Sequence, residues 1–244
     1  WLGSISIQGI NTGALMKIHS GTFRLAPVCA AFLITFGLFN TADIQAQSMD
    51  GEEKAKLIAD ALSAAPTAVT KGAKVYAWNT SRQLVLVRAG DGPYACFASG
   101  NTSIRVGKPL SKFPDPMCLD QNALALFRAM WAEKNPMKPV HPYPTAPGMV
   151  WMLAGMGVGQ GMIKIGTSGK ANIAVGKSGS KITRLSPHLM IMPLPMAEKS
   201  SGLQSTYDPG NPNASWVMAA GSPIEHLMLH FSTEATKSMM NPHR

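Results

Sequence analysis

The chain has 244 residues, 22 Lys+Arg against 13 Asp+Glu, and a formal net charge of +9. With 45% hydrophobic and only 14% charged residues it is no disordered polyelectrolyte, and it is long enough to bury a core without relying on staples. Its basic residues are scattered rather than striped, which argues against a nucleic-acid partner.

In chain order, Trp1 stands where an initiator Met would be expected, and residues 1–15 read as non-native upstream translation ahead of Met16. Lys17 and Arg24 form a basic start, 25–39 (LAPVCAAFLITFGLF) is an uncharged apolar run, and Ala46 is a small residue at a cut. Those are the three parts of a secretory leader, so residues 16–46 are expected to be a signal peptide. A spanning helix wants roughly 20 apolar residues. This run is shorter and broken by Pro27 and Gly37, so no stable membrane span is expected after cleavage. The expected address is periplasmic or secreted, with residues 47–244 as one exported domain.

Of the three cysteines, Cys29 leaves with the leader and Cys96 and Cys118 remain. An even count in an oxidising compartment argues for one disulfide, with two buried thiols as the alternative. Such a bond would close a loop of about 21 residues, worth roughly 3 kcal/mol on the chain-entropy model.

Residues 50–64 predict a helix capped by Asp50, with Glu52 and Glu53 in the first turn and Ala55, Ile58, Ala61 and Leu62 on one face; Pro66 ends it. Residues 74–78 and 84–88 predict a hairpin and 94–98 a further strand. Residues 113–118 (FPDPMC) read as a rigid connector, after which Asp120 caps a helix over 121–134. There Leu124, Phe127, Met130 and Trp131 share a face, which is core packing rather than a cofactor box.

Five prolines make 135–148 an extended linker, and 149–154 reads as a strand. Residues 155–185 are Gly-rich and irregular, with short strands at 162–165 and 172–175. Segments 189–192, 216–219 and 224–231 predict the late strands. Two helices early and strands late predict a single α+β domain: two N-terminal helices with a mainly antiparallel β-sheet.

These pieces resemble a family of uncharacterised exported bacterial proteins. The resemblance is carried in order by 61–66 (ALSAAP), Gly72-Ala73, Cys96, 116–120 (PMCLD), 148–155 (GMVWMLAG), 187–191 (PHLMI), Trp216-Val217-Met218, Gly221-Ser222-Pro223 and His226-Leu227-Met228. It covers nearly all of 47–244 and implies export and a shared fold, without supplying a reaction. In that family the segment before the PHLM piece is acidic and Asn/Asp-rich. Here 164–184 carries Lys164, Lys170, Lys177, Lys181 and Arg184 among Gly and Ser, so a ligand held by that loop does not carry over.

No catalytic signature stands up. Residues 171–178 (ANIAVGKS) imitate a phosphate loop, but no helix start follows to aim amides at a phosphate. No Ser sits in a G-x-S-x-G elbow. The pattern left over is histidine with methionine: His188-Leu189-Met190-Ile191-Met192 and His226-Leu227-Met228-Leu229-His230 are near copies. In strands, alternate residues share a face, and imidazole with thioether selects Cu(I). His226 and His230 lie roughly 13 Å apart along a strand, too far to share an ion.

Three readings follow. The first is a non-catalytic domain binding a small ligand or envelope partner, in a pocket lined by Trp151 or Trp216. The second is soft-metal (copper) binding through His188, Met190, His226 and Met228, which requires the two His-Leu-Met strands side by side. The third is a hydrolase without a recognisable motif, which requires a His within hydrogen-bond reach of a Ser or carboxylate.

Overall fold

The computed structural model describes residues 49–158, 183–196, 200–205, 207 and 211–241. The expected leader, and the short strands expected at 162–165 and 172–175, lie outside them.

Helix α1 (Gly51–Leu62) starts where Asp50 accepts the Glu53 N–H at 2.7 Å, with Glu52 and Glu53 in the first turn. A second, one-turn helix α2 (Thr67–Thr70) begins directly after Pro66. Strands β1 (Lys74–Trp78) and β2 (Leu84–Arg88) form the antiparallel hairpin, and β3 (Ala95–Phe97) lies parallel to β1 on its other side. The 113–118 connector is corrected in part. Met117–Leu119 is a strand, β4, buried on both faces between β3 and β5 (Gly148–Met152). Three apolar residues hemmed in by Pro114 and Pro116 give no period to detect, so only the sheet around them makes them a strand.

Helix α3 (Gln121–Ala132) connects β4 to β5. Asp120 holds the two together. One carboxylate oxygen caps the Ala123 N–H at 2.8 Å and the other accepts the Met149 N–H at 2.9 Å. Gly148 lies so close to this helix start that a Cβ would fall onto the Ala123 nitrogen and the Asp120 carboxylate.

Strands β6 (Met156–Val158) and β7 (Thr183–Leu185) pair in a small separate sheet. The late strands are β8 (His188–Met192), β9 (Trp216–Met218) and β10 (His226–His230). Helix α4 (Thr233–Met240) follows β10, with Ser232 accepting the Ala235 N–H. Its sequence signal was present: a Ser cap with Glu234 in the first turn.

The main sheet runs β2-β1-β3-β4-β5-β8-β10-β9 and, apart from β1–β3, pairs antiparallel. The domain is therefore α+β with a mainly antiparallel sheet. The helices expected at 50–64 and 121–134 are α1 and α3, but a grouping of two N-terminal helices is not supported: four helices are spread along the described residues, and strands β1–β4 stand between α1 and α3. Helix α1 covers one face at β1–β4, over a core of Val75, Ala77, Cys96 and Cys118. Helix α3 covers the opposite face at β4 and β5, and its Leu126 and Phe127 join a core that continues through Met152, Met190 and Met228 to Trp216. Cys96 and Cys118 face each other across β3 and β4 and are joined in a disulfide, fully buried under α1.

Candidate functional site

Strands β8 and β10 are direct antiparallel neighbours, each buried at alternate positions: His188, Met190, Met192 and His226, Met228, His230. The period of two turns all six toward the same buried face. Their register decides which ones meet. His188 pairs with His230 and Met190 with Met228. Strand β5 adds Met152 beside His188, and β9 adds Trp216 beside Met228 and Met218 beside His226. His188 and His226 stand at opposite ends of this array, four positions apart along the strand direction, roughly 13 Å. Met190 and Met228 lie between them.

The three buried histidines differ in what their ring nitrogens do. The Trp216 indole N–H, which can only donate, reaches His230 Nε2 at 2.9 Å. That nitrogen must be a bare acceptor, so the His230 proton sits on Nδ1. From there it points at Ser186 Oγ, 2.7 Å away, and the Ser186 hydroxyl donates to the Pro212 carbonyl at 2.9 Å. Every donor and acceptor in this chain is matched, and His230 is fully engaged.

His188 and His226 are built otherwise. Each directs Nδ1 at a carbonyl two residues back in the chain: His188 at Ser186 O, 2.7 Å, and His226 at Ile224 O, 2.8 Å. A carbonyl only accepts, so Nδ1 carries the proton and Nε2 holds a lone pair. Both Nε2 atoms are buried with no hydrogen-bond partner among the described residues. A buried acceptor left unmatched costs about 1–3 kcal/mol. The same arrangement, Nδ1–H fixed by a carbonyl and Nε2 available, is how a metal-ligating imidazole is oriented. Burial pushes the pKa of His188 down to about 3, and those of His226 and His230 to about 4. All three rings are therefore neutral at pH 7, the form in which His188 and His226 keep a lone pair on Nε2.

The sequence placed His188, Met190, His226 and Met228 in one set. The fold puts all four on one face of neighbouring strands, while the register separates the two histidines. Met192 follows from the alternation within β8, and the fold adds Met218 from β9 and Met152 from β5, which no pattern in a single strand could assign. Among the described residues, no group of three His, Cys, Asp or Glu side chains is disposed to hold a metal. A centre on this face must therefore draw on thioether sulfur.

The Ser186–His230 contact meets the distance condition for a nucleophile and base, but its polarity is reversed. To act as base, His230 Nδ1 would have to accept the serine proton, which would turn Nε2–H against the indole N–H. Of the two tryptophans expected to line an organic-ligand pocket, Trp216 is fully buried in the core and Trp151 packs half-buried against the α1 side. Clefts of about 690, 410 and 430 Å³ open instead around Ile104 and Leu110, and the latter two include Trp78.

Among the described residues no helix is long and apolar enough to cross a membrane. Compared with family models, curated proteins and solved structures, the chain matches none.

Proposed function

We propose that this is an exported, non-catalytic binding domain whose ligand is a soft metal ion, Cu(I), taken up on the His/Met face of β5, β8, β10 and β9. One observation carries the reading: a buried imidazole lone pair, that of His226 Nε2, with no hydrogen-bond partner among the described residues, on a face crowded with methionine. Neutral imidazole and thioether are soft donors that favour Cu(I) over harder divalent ions. The leader-like start and the buried disulfide support an address outside the cytoplasm, an oxidising compartment.

The test is an anaerobic titration of the purified protein with Cu(I) against a chromogenic chelator. Binding tighter than that of an unrelated Met-rich protein, with Zn(II) failing to compete, is the expected result. Binding no better than that control removes the reading.

A second reading, an organic ligand or partner peptide in the cleft of about 410 Å³ beside Trp78, draws on Trp78, which lines that cleft and whose indole N–H has no hydrogen-bond partner among the described residues. It predicts a ligand-dependent change in fluorescence that Trp78→Phe abolishes.

A further inference from the structure

The face holds several methionines but only two available imidazoles, and the register keeps those two apart. A single ion bonded at roughly 2 Å to each donor cannot join His188 Nε2 to His226 Nε2 across two rows of the sheet. The two ends must be judged separately.

At the His188 end the flanking residues are Met152 on β5 and His230 on β10. His230 has both ring nitrogens committed, to Trp216 and Ser186. In its own row of the described strands only the Met152 thioether remains to accompany His188, whose side chain is fully buried.

At the other end the set is complete. His226 pairs with Met218 on β9. Leu227 pairs with Ile191, so the next step of the same ladder brings Met192 alongside His226 on β8. Imidazole thus lies between two thioethers on three adjacent strands, with Cβ atoms of neighbours about 4.5–5.5 Å apart. Methionine's three rotatable bonds let each sulfur swing toward the imidazole. Met192 is 2% exposed and His226 5%, while Met218 is only half-buried. The half-buried thioether gives an ion a route in from solvent, and the buried pair excludes water once it is seated.

Building on the soft-metal reading above, we infer that the metal seat is the Met192–His226–Met218 row, a one-nitrogen, two-sulfur centre for a single Cu(I) per chain, and that His188 is not a ligand. Three soft donors without a carboxylate suit a low-coordinate monovalent ion and leave a divalent one under-ligated.

The experiment compares wild type, His226→Ala, Met218→Leu and His188→Ala in the same Cu(I) competition, with X-ray absorption at the copper edge of the wild-type complex. Met218→Leu keeps shape at a half-buried site, so loss of folding does not confuse it, and circular dichroism checks the two alanine variants. The expected result is one Cu(I) per chain with sulfur scatterers outnumbering nitrogen. Affinity should fall by more than about 100-fold in His226→Ala, beyond the loss of an outer-shell partner. It should fall measurably in Met218→Leu and stay at wild-type level in His188→Ala. Equal losses in His188→Ala and His226→Ala, or wild-type affinity in Met218→Leu, overturn this seat while leaving copper binding intact. No binding by wild type removes both this inference and the reading it rests on.

Discussion

Trp216 donates its indole N–H to Nε2 of His230 at 2.9 Å, across the pair of strands β9 and β10. That bond sets the tautomer of His230, directs its proton at Ser186, and withdraws the ring from any metal or catalytic role. Trp216→Phe removes the donor and leaves a buried lone pair, a cost of about 1–3 kcal/mol. Urea unfolding should show a lower midpoint, while Cu(I) affinity stays at the wild-type value. Weakened copper binding would mean His230 is closer to the metal than its hydrogen bonds allow.

Stability should depend on pH through the three buried histidines. Their folded pKa values, about 3 for His188 and about 4 for His226 and His230, lie below the ordinary 6.5. Burial is the main cause, and His188 is lowered further by the charges that His230 and His226 would carry. Below pH 6.5 the unfolded chain binds protons that the folded chain refuses. Stability is therefore complete above that value and declines as pH falls toward 4. At pH 5 the loss is on the order of 2 kcal/mol per histidine. Buried Asp115, with its pKa raised, acts in the opposite sense. Urea midpoints that stay level from pH 7.5 to pH 5 would contradict the burial of neutral rings.

The Cys96–Cys118 bond spans 22 positions and fixes β3 against β4 beneath α1. Replacing both cysteines by alanine should cost about 2–4 kcal/mol. The loss should appear equally in wild type treated with a reductant after denaturation, and a reductant should have no effect on the double variant. A double variant as stable as wild type would show that packing alone holds these strands.

Gly148→Ala should destabilise the domain by more than an ordinary surface change, because the new methyl group meets backbone at the α3 N-terminus. The same shift would disturb the two bonds from Asp120 that join α3 to β5. A thermal midpoint within a degree or two of wild type would mean α3 is free to move away from the sheet. That outcome would undo the account of Asp120 as a clasp.

Much of the secondary structure is written in short-range chemistry. Asp50 and Asp120 announce their helices because a carboxylate satisfies amide groups within the next three residues, and the β1–β2 hairpin follows from two β-rich runs around a turn. The repeated His-Leu-Met alternation told, within each strand, which side chains share a face. The sequence by itself could not place β4, whose three residues have too short a pattern and are a strand only because β3 and β5 flank them. Nor could it set β8 beside β10, since strand order depends on contacts between distant segments rather than on local periodicity. Register and neighbours then decided the chemistry of the face. They put His230 against Trp216 and Ser186, and left His226 with an open nitrogen between Met192 and Met218. A ring's proton and its available lone pair are fixed by what lies across the sheet, which only the tertiary structure supplies.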